Sequence, residues 1–90
     1  MKKHLNIQIF GLVQGVWFRK NTKQKADALA ISGFVRNEKD GSVYLELEGD
    51  ASMIDIMLEW CERGPELARV DKLKKSEGAF MGLNGFEIHH

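Results

Sequence analysis

Two segments of this chain alternate apolar with polar residues at a period of two, and each leads into a segment patterned at the helical repeat. Leu5, Ile7 and Ile9 are interleaved with Asn6 and Gln8, the mark of a strand with one buried face. A loop with two glycines follows, from Gly11 to Val16. Residues 19–31 then predict a helix with Thr22, Ala26, Leu29 and Ala30 as its inner stripe, ended by Ser32-Gly33. Phe34 to Asn37 predicts a short strand, and Asp40-Gly41 a hairpin turn. The period of two returns where Val43, Leu45 and Leu47 alternate with Tyr44, Glu46 and Glu48. Gly49-Asp50 closes that strand, with Asp50 placed to cap the next helix. That helix is predicted over 51–63: Ile54, Met57, Leu58 and Cys61 share one face with Trp60 beside them, and Gly64-Pro65 stops it. Ala68 to Lys75 gives a fourth strand in which Val70 and Leu73 are out of phase, so a bulge or register change is expected. Gly82 to Gly85 reads as a turn, and Phe86-Glu87-Ile88 has the pattern to add a short final strand at the C-terminal end.

The order βαββαβ, with right-handed crossovers, places both helices on one face of an antiparallel sheet, the ferredoxin-like α/β sandwich of the α+β class. Ninety residues make a single domain over 1–90, large enough to bury a core and fold alone. Many activities use this fold, so function has to be argued from a site. Thirteen basic residues balance thirteen acidic ones, so no global field draws the chain to nucleic acid or to an anionic membrane; any anion site must be local. Cys61 is the only cysteine, which excludes an internal disulfide and a multi-cysteine zinc site and agrees with a reducing compartment. Met1-Lys2-Lys3 has the charge of a signal-peptide start, but the residues after it alternate, and no apolar run reaches the length of a membrane span. A cytoplasmic protein is expected.

The chemistry concentrates in Gly11-Leu12-Val13-Gln14-Gly15-Val16-Trp17-Phe18-Arg19. Here a strand ends, a glycine-bracketed loop turns and a helix begins. N–H groups at a helix start lack carbonyl partners, and the helix dipole adds partial positive charge. Glycines let the loop curl until successive N–H groups converge on one anion. The first half of the helix carries Arg19, Lys20, Lys23 and Lys25 with no acid before Asp27, although acids suit that end better. A solvated face accounts for the three lysines. Arg19 stands directly where the loop ends; a bound dianion would turn its unfavourable place into a favourable one, with a guanidinium fork matched to phosphate oxygens. Asn37 is the second candidate. Asparagine at a strand end is commonly a turn residue, but the topology brings this strand back beside the loop, and an amide orients a water without ionising.

Other phosphate chemistries are missing. The loop lacks the GxxxxGK[ST] spacing, and Leu67 stands where the arginine of a cysteine-x5-arginine loop would be. Cys61 lies on the apolar stripe of the second helix and reads as a buried structural thiol. His4, His89 and His90 sit near the two ends of the chain, the last two as a solvated tail. No paired carboxylates show a metal-ligand spacing.

These residues resemble a known family. Residues 11–19 match the acylphosphatase signature G-x-V-Q-G-V-x-F-R at every fixed position. Gly33-Phe34-Val35-Arg36-Asn37 and Asp40-Gly41-Ser42-Val43 are similar to its G-W-V-R-N and D-G-x-V segments. Gly64-Pro65 with Ala68-Arg69-Val70 looks like G-P-x-x-A-x-V, and Phe86-Glu87-Ile88 like the closing F-x-I. Phe34 replaces a usual tryptophan, Ala30-Ile31-Ser32 departs from the common run, and Ser76 to Asn84 matches nothing in the family pattern. The resemblance implies hydrolysis of acylphosphates (carboxyl-phosphate anhydrides) on a ferredoxin-like fold, with no metal or other cofactor. It makes Arg19 the phosphate-binding arginine and Asn37 the residue that orients water. The backbone N–H groups of Gln14, Gly15, Val16, Trp17, Phe18 and Arg19 become the phosphate cradle.

The expected partner is a small-molecule acylphosphate; no nucleic acid and no membrane are expected, and the chain is expected to be a monomer. RNA-recognition modules share the βαββαβ order, but they present aromatics within a basic surround. Here the face opposite Val43, Leu45 and Leu47 carries Tyr44, Glu46 and Glu48, whose carboxylates repel a phosphate backbone. A domain that binds a phosphorylated ligand without hydrolysing it is the other alternative, and a phosphate-release assay separates it from an enzyme.

Overall fold

The computed structural model describes residues 1–90. Seven elements follow in order: β1 Lys2–Leu12, α1 Phe18–Ala28, β2 Ser32–Asn37, β3 Val43–Asp50, α2 Ala51–Arg63, β4 Arg69–Gly78 and β5 Phe86–His89. The strands form one sheet in the order β4-β1-β3-β2-β5. Leu5, Ile7 and Ile9 of β1 meet Val35 of β2 and Val43, Leu45 and Leu47 of β3 on the buried side of the sheet. Phe18, Thr22 and Ala26 of α1 and Ile54, Met57 and Cys61 of α2 complete that core. Cys61 is a free, buried thiol whose pKa is pushed up to about 12 by burial, so it packs as a small apolar side chain.

β4, β1, β3 and β2 form the expected antiparallel sheet, and the short C-terminal strand β5 joins it parallel to β2, which makes the whole sheet mixed. β4 and β5 lie at opposite edges, so the chain between them must cross the whole sheet, about 19 Å at about 4.8 Å per strand. The segment that matched no family pattern makes this crossing. Its first part, Ser76 to Gly78, completes β4, and residues 79–85 form a strap over the face away from the helices.

Glu48 fastens the strap. Its side chain was expected to face solvent, yet it is only 2% exposed and accepts hydrogen bonds from the backbone N–H groups of Met81 and Leu83, the latter at 2.7 Å. His4, 3% exposed, approaches the same carboxylate through Nδ1 at 2.7 Å, while its Nε2 meets Asn6 Oδ1 at 3.0 Å and Glu46 Oε1 at 2.9 Å. Burial works against charge on both groups. For Glu48 the two N–H bonds and His4 outweigh it and hold the carboxyl below its usual range. For His4 the bonds to Glu48, Asn6 and Glu46 outweigh it and raise the imidazole. Gly78 makes room: a Cβ there would stand 2.9 Å from the His4 ring. Of the three carboxylate-face residues, Glu48 is thus covered and internally satisfied, and Glu46 is engaged by His4 and by the Tyr44 hydroxyl at 2.8 Å.

Element boundaries differ from expectation in ways that bear on the site. β1 runs on through Gly11 and Leu12, so the loop proper is 13–17. α1 begins one residue early, at Phe18, and ends at Ala28. The Ile31 N–H bonds to the Ala26 carbonyl at 2.9 Å and the Ala30 N–H to the Asp27 carbonyl at 3.2 Å, the two bonds of a Schellman stop, with Ala30 at φ 54. Ala30 is therefore exposed and off the inner stripe, whose leading place belongs to Phe18, and Ser32-Gly33 already lie in β2. Asp50 does occupy the α2 N-cap, but it makes no side-chain capping bond; its carboxylate pairs with Lys2 at 3.4 Å. The expected irregularity in β4 is present. Phe10 pairs with Lys72 and Gly11 with Val70, passing over Asp71, which puts Val70 and Leu73 on the same side of the sheet.

Candidate active site

The 13–17 loop is held from below by a side chain. Gln14 Nε2 donates to the carbonyls of Glu38, at 2.7 Å, and Ser42, at 2.9 Å, both in the β2–β3 turn. That turn is itself braced: the Asp40 carboxylate accepts from the Ser42 hydroxyl and N–H, which lowers its pKa. The sequence suggested Gln14 only as a main-chain donor. Its amide tying one loop to another 24 to 28 residues along the chain has no local signal, because the acceptors are backbone atoms.

Gly15 and Trp17 both take left-handed backbone conformations, with φ 74 and φ 63. Gly15 does so without strain; Trp17 does so at the N-cap of α1, where it supplies no side-chain cap. Its ring is 67% exposed, with Lys20 Nζ 5.5 Å from the ring centre. The Trp17 carbonyl is taken by the backbone and side-chain N–H groups of Asn21, at 3.0 and 2.9 Å. No backbone N–H between Gln14 and Lys20 donates a turn, loop or cap hydrogen bond. The loop and first helical turn therefore present consecutive N–H groups with no protein acceptor, at the positive end of the helix dipole and with no acid in the first turn.

Arg19 leans from α1 toward the end of β5. Its Nη1 donates to the His89 carbonyl at 3.1 Å and lies 3.3 Å from His90 Nδ1. No carboxylate forms an ion pair with it, so no protein anion offsets its charge. Asn37 closes β2, exposed and opposite Val43, with no side-chain hydrogen bond of its own to the protein. Arg19 and Asn37 line one open cavity of about 300 Å³, together with Gly15, Trp17, Lys20 and His90. Gln14 and Val16 of the predicted cradle belong to the same loop but not to that lining.

Two expectations change here. Lys23 is not merely solvated: its Nζ reaches the Phe86 carbonyl at 2.9 Å as well as Asp27 at 3.0 Å. His89 is not tail but part of β5, its ring stacked on Phe34 at 4.5 Å between centroids and 7° between planes. The alternation of Phe86, Ile88 with Glu87, His89 was the available signal, and it extends one residue beyond the strand expected.

Fold and site together define a small α+β domain in which a glycine-containing loop, one guanidinium and one carboxamide meet at one open cavity. The sequence model of the acylphosphatase family matches residues 5–88. An acylphosphatase of Methylococcus capsulatus is 48% identical over 80 residues, covering 89% of this chain and 87% of the relative. The structure of an acylphosphatase from Coxiella burnetii superposes with TM-score 0.94 at 31% identity, over 98% of this chain and 93% of that one. The crystal structure of acylphosphatase from Bacillus subtilis gives TM-score 0.94 at 28% identity over the whole of both chains. The chain belongs to the acylphosphatase family, hydrolases that act on acid anhydrides.

Proposed function

We propose that this chain hydrolyses acylphosphates to a carboxylate and inorganic phosphate at the cavity shared by Arg19 and Asn37. The observation that carries this reading is the convergence, on one cavity, of an arginine without an acidic partner and an amide without a protein hydrogen bond. The backbone N–H groups from Gln14 to Arg19 and the guanidinium hold the phosphoryl group and stabilise charge on its oxygens as the bond to the carboxylate loosens. A carboxylate leaves readily without a strong general acid. Asn37 fixes a water in line with the leaving oxygen, donating from its amide N–H and accepting at its carbonyl. The proton of that water passes to an oxygen of the substrate's own phosphoryl group, so positioning and electrostatics supply the acceleration without a covalent intermediate.

In this reading the loop is a phosphate-binding loop and the reaction needs no metal, because the cradle and guanidinium provide the positive charge. The same reading makes the chain a cytoplasmic monomer, in keeping with a single, buried, free thiol. Phosphate release from benzoyl phosphate tests the activity, and EDTA tests the metal claim. Turnover unchanged by the chelator is expected; loss of turnover restored by a divalent cation contradicts it. Binding of the substrate without phosphate release favours the non-hydrolysing alternative instead.

A further inference from the structure

β5 is an edge strand, so its outward carbonyls have no strand to bond to. Lys23 of α1 takes the outward Phe86 carbonyl, and Arg19 reaches the His89 carbonyl at the end of the strand, on the side that faces β2. The second bond has consequences for the site. It engages Arg19 through Nη1, while the Nε and Nη2 donors make no bond to the protein. Those two are the side-on pair that fits two phosphate oxygens at once. The anchor is also a neutral carbonyl. A carboxylate in its place would hold the arginine equally well but would cancel much of the charge that a dianion needs.

A carbonyl at a strand end holds a side chain only if the strand end is itself held. On the face away from the helices, the His89 ring lies flat on Phe34 of β2, and its Nε2 meets Glu87 at 3.2 Å. Phe34 is fixed in turn, paired with Glu46 in the sheet and in ring contact with Tyr44 at 6.1 Å. The His89 side chain and the His89 carbonyl thus face different neighbours: the ring binds the sheet, and the carbonyl binds Arg19.

We propose that His89 is a positioning residue for Arg19, its stacked ring fixing the carbonyl that presets the guanidinium with its side-on edge free for phosphate. This rests on the reading of Arg19 as the phosphate-binding residue. Without the stack, the end of β5 loosens, Arg19 samples more rotamers, and phosphate binding must first order it.

The test compares His89→Ala, His89→Phe, Arg19→Ala and the His89→Ala/Arg19→Ala pair, reading the inhibition constant of inorganic phosphate and KM for benzoyl phosphate. His89→Ala should raise both by about three- to tenfold, the range expected when an ordered side chain becomes mobile. His89→Phe keeps a stacking ring and should return both to within about twofold of the parent. In the Arg19→Ala background His89→Ala should add nothing, because the two act through one interaction. Should His89→Ala fail to fold, Phe34→Leu removes the other half of the stack and is expected to give the same pattern. Unchanged phosphate affinity in His89→Ala, or an equal loss whether or not Arg19 is present, overturns the inference. Unchanged affinity in Arg19→Ala itself removes the reading on which the inference rests, and the inference falls with it.

Discussion

Two regions of this molecule differ in what their main-chain N–H groups meet, and the two are built in opposite ways. Under the strap, the N–H groups of Met81 and Leu83 meet the carboxylate of Glu48, which His4 completes from the other side. In the loop and first turn of α1, the N–H groups from Gln14 to Lys20 have no backbone acceptor, and the guanidinium of Arg19 has no protein anion. The first arrangement is buried and closed, and its donors are consumed in holding residues 79–85 onto the sheet. The second is open, and in the proposed function its donors are left for an anion from outside. The same chemistry serves cohesion in one case and recognition in the other; what differs is whether the chain supplies the anion.

Substitutions at the two places should therefore separate activity from stability. The largest loss is expected from Arg19→Ala, which should lower kcat/KM for benzoyl phosphate by about a thousandfold, at the upper end for a charge-stabilising donor, and raise the phosphate inhibition constant by at least about tenfold to a value still measurable, with a melting temperature near that of the parent. Glu48→Ala should do the reverse: a loss of about 3–5 kcal/mol in denaturant unfolding, because His4 and two N–H groups are left buried without their acceptor, and phosphate inhibition within a few-fold. If Glu48→Ala abolished phosphate binding while remaining folded, the two regions would not be independent. Asn37→Ala should reduce kcat by about a hundredfold while changing the phosphate inhibition constant only slightly, since it positions water rather than phosphate.

The smallest effect is a pH dependence confined to the strap. Glu48 has a lowered pKa, so its contribution to stability is present above the usual carboxyl value of 4.5 and is lost as pH falls through its folded value. His4 has a raised pKa, so its contribution is complete below 6.5 and is lost as pH rises through its folded value. The stability gap between the parent and His4→Gln should accordingly be widest between those two values and narrow as pH is raised beyond 6.5. A gap that widened with rising pH would mean that His4 is held neutral.

The period-two segments, the helical stripes and the glycine loop were legible because each is a local pattern set by one buried face. Arg19 stood out as a cation at a helix start, whereas Asn37 at a strand end read more readily as a turn residue and was singled out by the resemblance to the family motif. The strap was not legible. Residues 79–84 carry no repeat, and their partner Glu48 sits in a strand whose alternation assigns it to the exposed face. That face becomes interior only when a segment from far along the chain lies on it. The burial of His4 was not legible either, since a histidine near a chain end has no local sign of it. The His89 carbonyl that holds Arg19 was hidden for a further reason: the interaction belongs to the backbone, and only the parallel pairing of β5 with β2 puts it within reach.

A crystal of the protein soaked with inorganic phosphate tests the central claim most directly. The account predicts one phosphate in the cavity, within hydrogen-bonding distance of loop N–H groups between Gln14 and Arg19 and of the Arg19 guanidinium, with the Asn37 amide turned toward it. A phosphate bound elsewhere, or bound there with Asn37 turned away and Arg19 uninvolved, would contradict it.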